Sequence, residues 1–130
     1  MGFSVVHMEE LEWTDRPPEA GDAIRRVAGL TDRAGFRHSR ANLWRYEPGA
    51  KGRRHKDLVQ EETFVVVRGT LTMYLGEEQP ERVEVPAVGL VHVEADTVLQ
   101  IANETAEELL LYIYGAPPEH GNAEFFDSVA

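Results

Sequence analysis

The chain has 130 residues, enough for one domain and too few for a second full core. Its 42% apolar and 28% charged content is that of an ordinary globular protein rather than a disordered one. A net charge of −10 argues against a general nucleic-acid binder, and the lack of cysteine excludes disulfides, thiolate metal sites and cysteine nucleophiles.

Taken in chain order, Glu9, Glu10 and Glu12 with no early basic residue do not make a signal peptide. Residues 15–22, rich in proline, glycine and charge, read as a loop. From Ala41 onward the pattern predicts about seven short strands at the spacing of a sandwich or barrel. Leu71, Met73 and Leu75 alternate with Thr72 and Tyr74, and Val83 and Val85 with Arg82 and Glu84. Phe64–Val67 and Leu109–Tyr114 are continuous apolar runs, as expected of strands covered on both faces. Turn signals fall at Pro48-Gly49, Gly69, Gly76, Pro86 with Gly89, and Asn103 to Thr105. No segment reads as a long helix, and the run from Leu109 is far too short to cross a bilayer, so a cytoplasmic protein with no membrane partner is expected. The predicted organisation is a single all-β domain: an N-terminal extension over 1–39, a barrel core over 40–115, and an irregular tail over 116–130 that packs along the barrel.

The net charge hides an asymmetry. Residues 1–75 carry twelve basic and eleven acidic side chains, whereas residues 76–130 set Arg82 alone against twelve carboxylates. Arginine outnumbers lysine eleven to two. One reading is two solvated faces of opposite sign that help the chain pair with itself; the other is a pocket in which arginine forks hold a carboxylate or phosphate. Trp44 and Tyr46, with Arg45 between them, serve either as core and surface or as a pocket wall that stacks on a flat or sugar-like ligand. Three serines outside any nucleophile-elbow context exclude a serine hydrolase, and Gly49-Ala50-Lys51-Gly52 lacks the spacing of a phosphate loop.

One constellation goes further. Gly49 is followed after five residues by His55, then Asp57, Glu61-Glu62, an apolar strand and Gly69. Gly89 opens a second segment in which Glu94-Ala95-Asp96 precedes Gln100 and Asn103. This resembles the two motifs of the cupin family over residues 40–115, with Glu62 at the glutamate position and Glu94-Ala95-Asp96 where the family has Pro-x-Gly. The resemblance implies a double-stranded β-helix, or jelly-roll barrel, and a homodimer, as many small members are. It also implies a metal site of His55, Asp57 and Glu62: His55 and Asp57 share a strand face, and a turn brings Glu62 to meet them. Such a set suits a divalent transition metal such as iron, manganese, nickel or zinc.

The sequence departs from the family twice. Asp57 replaces the second histidine of His-x-His, and the distal histidine position falls on Leu99, which binds no metal. His38, His92 and His120 are the histidines that stand near enough to be weighed as substitutes, and each reads better as a non-ligand, as does His7. Three outcomes follow, in this order: a barrel that binds a small polar or anionic molecule with no tightly held metal; a weakly held metal; and metal-free acid–base catalysis by a His–carboxylate pair. Arg45, Arg53 and Arg54 are the candidate anion contacts, with Trp44 and Tyr46 as pocket wall. Three functional readings stand: small-molecule binding in the barrel, a metal-dependent enzyme of dioxygenase or isomerase type, and a non-catalytic surface or sensory module.

Overall fold

The computed structural model describes residues 2–18, 23–118 and 121–130. Eleven strands build it: β1 (Thr14–Arg16), β2 (Arg25–Gly29), β3 (Arg40–Tyr46), β4 (Arg54–Asp57), β5 (Glu61–Arg68), β6 (Thr70–Leu75), β7 (Glu81–Pro86), β8 (Leu90–Val93), β9 (Leu99–Ala102), β10 (Leu109–Ala116) and β11 (Ala123–Phe126). One four-residue helix, α1 (Thr31–Ala34), and one 3-10 turn, Met8–Glu10, complete the described secondary structure. No helix among the described residues is long and apolar enough to cross a membrane.

The strands form two antiparallel sheets, ordered β1-β2-β3-β10-β5-β8 and β11-β4-β9-β6-β7. Their facing sides meet in a core of Phe64, Val66, Leu71, Met73, Leu99, Leu109, Leu111 and others. Each large apolar side chain buried there contributes about 1.5–3 kcal/mol relative to exposure. The all-β fold expected from the periodicity, and the jelly roll implied by the family resemblance, are thus present.

The motif glycines have mechanical reasons. Gly69 joins β5 to β6 at φ +84°, and a Cβ there would sit 2.6 Å from the Glu108 carbonyl oxygen, so no other residue fits without movement. Asn103 closes the second motif as a buried clamp. Its Nδ2 donates to the carbonyls of Tyr46 (2.9 Å) and Glu107 (2.7 Å), while its backbone exchanges hydrogen bonds with Gly49 and Ala50. This clamp fixes the loop that leads into β4. Asp96 takes φ +66° where the family motif has glycine, and its N–H donates to the Asp57 carbonyl at 2.7 Å.

Four expectations are corrected. Nine strands, not seven, run from β3 onward. Asp15 and Arg16 belong to β1 rather than a loop, and β1 and β2 extend the larger sheet beyond the expected core. The tail is not wholly irregular, because β11 pairs with β4. Phe64–Val67 is covered on one face only: Phe64 and Val66 point into the core, while Val65 is half-buried and Val67 is 48% exposed on the outer side. A run of valines hides this alternation, since both faces carry the same residue type.

Candidate metal and ligand site

On β4 the side chains of His55 and Asp57 rise from one face, and residues 58–60 turn the chain so that Glu62 on β5 approaches them. His55 Nε2 lies 3.6 Å from Asp57 Oδ2 and 3.8 Å from Glu62 Oε1. One donor atom from each residue falls within 4.8 Å of the others. His55 Nδ1 sits 3.0 Å from the Arg53 carbonyl oxygen, which leaves Nε2 facing the carboxylates.

Electrostatics bind the three together. Burial works against charge on His55, but Asp57, Glu62 and the Arg53 carbonyl outweigh it and the imidazole pKa is pushed up to about 10. Burial, reinforced by the neighbouring Asp57, pushes Glu62 up to about 7 despite His55. Asp57 moves the other way: burial raises it, but the contact with His55 prevails and its pKa falls below the usual carboxylate value. Two carboxylates and one imidazole therefore share protons.

The donor set fits a divalent ion. Donors about 2.1 Å from a metal stand roughly 3–3.4 Å apart, and His55 Nε2 lies within a few tenths of an ångström of that spacing from each carboxylate. Glu62 Oε1 is buried and accepts no hydrogen bond, and it lies 3.8 Å from His55 Nε2. The fourth corner is closed to ligation. Leu99 pairs with His55 across β4 and β9, is 1% exposed and belongs to the core.

These three residues open on a cavity of about 360 Å³. Trp44 and Tyr46 line it, as does Arg53, whose guanidinium carbon lies 3.5 Å from the Phe125 ring centroid. Arg45 and Arg54 do not. The alternation that turns Trp44 and Tyr46 inward turns Arg45 outward, where it pairs with Glu108 at 3.1 Å and lies over Trp13. By the same parity, Arg54 leaves the barrel and is buried against backbone carbonyls of Gly76, Glu77 and Asp127. Neither serves as an anion contact in the cavity.

No further histidine among the described residues joins the site. His38 is exposed ahead of β3. His92 faces outward on β8, with Nδ1 2.8 Å from Thr63 Oγ1 and Nε2 3.5 Å from Glu61. His7 accepts from the Glu9 N–H at the first turn. His120 lies outside the described residues.

Several lining residues escaped the sequence reading: Arg25, Arg40, Asn42, Gln60 and Phe125. Asn42 shares the inward parity of Trp44 and was available once that face was known. Arg25 and Phe125 were not, because β2 and β11 carry too little alternation to announce themselves.

Two antiparallel sheets closed into a barrel, with donor side chains from a strand of each sheet converging on one internal cavity, define a double-stranded β-helix. The chain has the cupin fold. Solved structures agree. A sugar phosphate isomerase of the cupin superfamily from Silicibacter pomeroyi is 22% identical, with 96% of this chain and 83% of that one covered at TM-score 0.74. A predicted oxalate decarboxylase from Thermotoga maritima is 14% identical over 88% of this chain and 99% of that one, at TM-score 0.75. A conserved protein with a double-stranded β-helix domain from Klebsiella pneumoniae is 19% identical over 85% and 90%, at TM-score 0.66. No sequence family model and no curated protein matches the chain.

Proposed function

We propose that the barrel binds a small anionic molecule against a divalent transition metal held by His55, Asp57 and Glu62. The observation that carries this reading is that the donor triad and the guanidinium-bearing Arg25, Arg40 and Arg53 line one cavity of about 360 Å³. The triad supplies negative charge for a cation, and the arginines suit the carboxylate or phosphate of a ligand. Trp44 and Phe125 give the cavity flat apolar walls. The names of the similar structures speak of sugar phosphate and oxalate, both small oxygen-rich anions, which supports this ligand class.

A metal there would polarise an oxygen of the bound molecule as a Lewis acid. The chain's own residues set the rest. With Leu99 at the fourth corner, the described residues supply three donors, which leaves affinity modest and positions open toward the cavity. Gln60 is held by donation to the Pro117 carbonyl at 2.8 Å and stiffens the wall beside Glu62. Oxalate is a suitable probe. Titrated into the protein with manganese(II), it should bind saturably, and His55→Ala should abolish that binding. Equal oxalate binding with and without the metal would overturn the metal half of the proposal, and no binding in either case would overturn both halves.

A second reading is metal-free proton transfer by Glu62, favoured by its pKa of about 7 beside His55. Full ligand turnover after exhaustive chelation would establish it.

A further inference from the structure

The continuous apolar runs Phe64–Val67 and Leu109–Tyr114 put apolar side chains on both faces of β5 and β10, and the core takes only one of those faces. Phe64, Val66, Leu111 and Ile113 point into the core, so Val65, Val67, Tyr112 and Tyr114 point away from it. We propose that a second copy of this chain covers this outer face, the two larger sheets packing back to back about a two-fold axis. The proposal goes beyond the reading of the cavity and does not depend on it.

The outward residues are in register. Leu43, Tyr112, Val65 and Leu90 are direct cross-strand neighbours on β3, β10, β5 and β8. They make one unbroken apolar row across four strands, about 15 Å long at the ordinary strand spacing. Tyr114, whose ring lies 5.6 Å from that of Tyr112, and Val67 widen the row along the strands. An antiparallel sheet that faces water on one side carries polar residues there, and this one does not.

The patch is also large enough. Leu90 is 59% exposed, Val67 48% and Tyr114 40%. With the half-buried Val65 and Tyr112 they form a contiguous apolar surface on the order of 400 Å², beyond the scattered apolar residues of a monomer. A stable dimer takes about 800 Å² from each copy, somewhat over half of it apolar, and a rim of Glu61, Arg68 and His92 adjoins the patch.

The turn into β8 carries a strained residue. Val88 sits at φ +73°, which β-branched side chains avoid, and it is 93% exposed. Within one chain its isopropyl group gains almost no packing to offset that strain. A second copy against this face supplies it.

Charge selects the same face. Two chains of net −10 repel, so the surfaces that meet must be close to neutral. On this side Arg26, Arg45 and Arg68 are paired with Asp15, Glu47 and Glu108. Glu77, Glu78, Glu81 and Glu124 instead lie on the smaller sheet and its turns. Back-to-back packing of the larger sheets holds these acidic surfaces apart.

Sedimentation equilibrium of the untagged chain between about 1 and 100 µM tests the interface. The wild-type chain should reach twice the chain mass, and its melting temperature should rise with concentration. Leu90→Lys and Val67→Lys put a charge into the apolar row without touching the core, and each should weaken the dimer at least about tenfold. Val129→Lys changes an apolar residue of the tail that is 42% exposed, and should leave the dimer intact. Added salt should tighten the dimer, because it screens the like charges and leaves apolar burial in place. Should a lysine variant lose its melting transition, the milder Leu90→Gln and Val67→Thr are read in the same way. The proposal is overturned if the wild-type chain stays monomeric over the whole range, if the dimer survives both substitutions in the row, or if salt dissociates it.

Discussion

His55 and Leu99 stand directly opposite each other on the antiparallel pair β4 and β9, on the same inner face. Side chains so placed have Cβ atoms about 4.5–5.5 Å apart. The residue beside His55 is therefore a hydrocarbon, and among the described residues the donor set stops at three.

Replacing that hydrocarbon with a donor should complete the site. Leu99→His is expected to raise affinity for manganese(II) or zinc(II) at least about tenfold, measured by competition with a chromophoric chelator. The variant should lose stability without metal, because a polar ring enters a position that is 1% exposed, and regain it with metal. A folded Leu99→His protein with unchanged metal affinity would mean that the three existing donors do not form the centre.

The proton balance of the metal-free site predicts a pH dependence. His55 keeps its proton to about pH 10 in the folded chain, against 6.5 unfolded, and Glu62 to about 7, against 4.5. Both are raised, so the folded chain binds more protons than the unfolded one between these values. Their stabilisation is complete at low pH and is lost as pH rises, through about 7 for Glu62 and about 10 for His55. Asp57 is lowered and acts only at and below its ordinary 3.8. Wild-type stability minus that of Glu62→Gln, from urea unfolding, should therefore fall between pH 5 and 8, by no more than about 1.4 kcal/mol per pH unit. A difference that rises over that interval would contradict the assigned proton sharing.

Neighbouring arginines should behave in opposite ways. Arg54→Met removes a buried guanidinium that satisfies three backbone carbonyls at the β6–β7 turn and in the tail, and should cost about 2–4 kcal/mol. Arg45→Met breaks a partly exposed pair with Glu108 and should cost under about 1 kcal/mol. Neither should alter metal or oxalate binding. Thermal and denaturant unfolding measure the first difference, and calorimetry the second; loss of oxalate affinity in either variant would return that arginine to the site.

These arginines also show where the sequence was legible. The alternation of β6 and β7 could be read directly, and the motif glycines and the triad His55, Asp57 and Glu62 through the family resemblance, since each rests on spacing along one or two adjacent segments. Arg45 and Arg54 were misplaced because facing is a matter of parity, and nothing within β3 or β4 says which parity points inward. Once His55 is placed inside, Arg54 must lie outside, and once Trp44 is inside, so must Arg45. Arg25 and Phe125 were invisible for another reason. They reach the cavity through long-range pairing of β2 with β3 and of β11 with β4, which short strands of mixed composition do not encode locally.

The central claim is that three donors on β4 and β5 form a divalent-metal centre inside the barrel. Calorimetric titration of manganese(II) and zinc(II) into untagged, chelator-treated protein tests it most directly. The account predicts saturable uptake of about one ion per chain, with protons released as His55 and Glu62 lose theirs, and loss of uptake in both His55→Ala and Glu62→Gln. Absence of saturable uptake, or uptake that survives both substitutions, would contradict it.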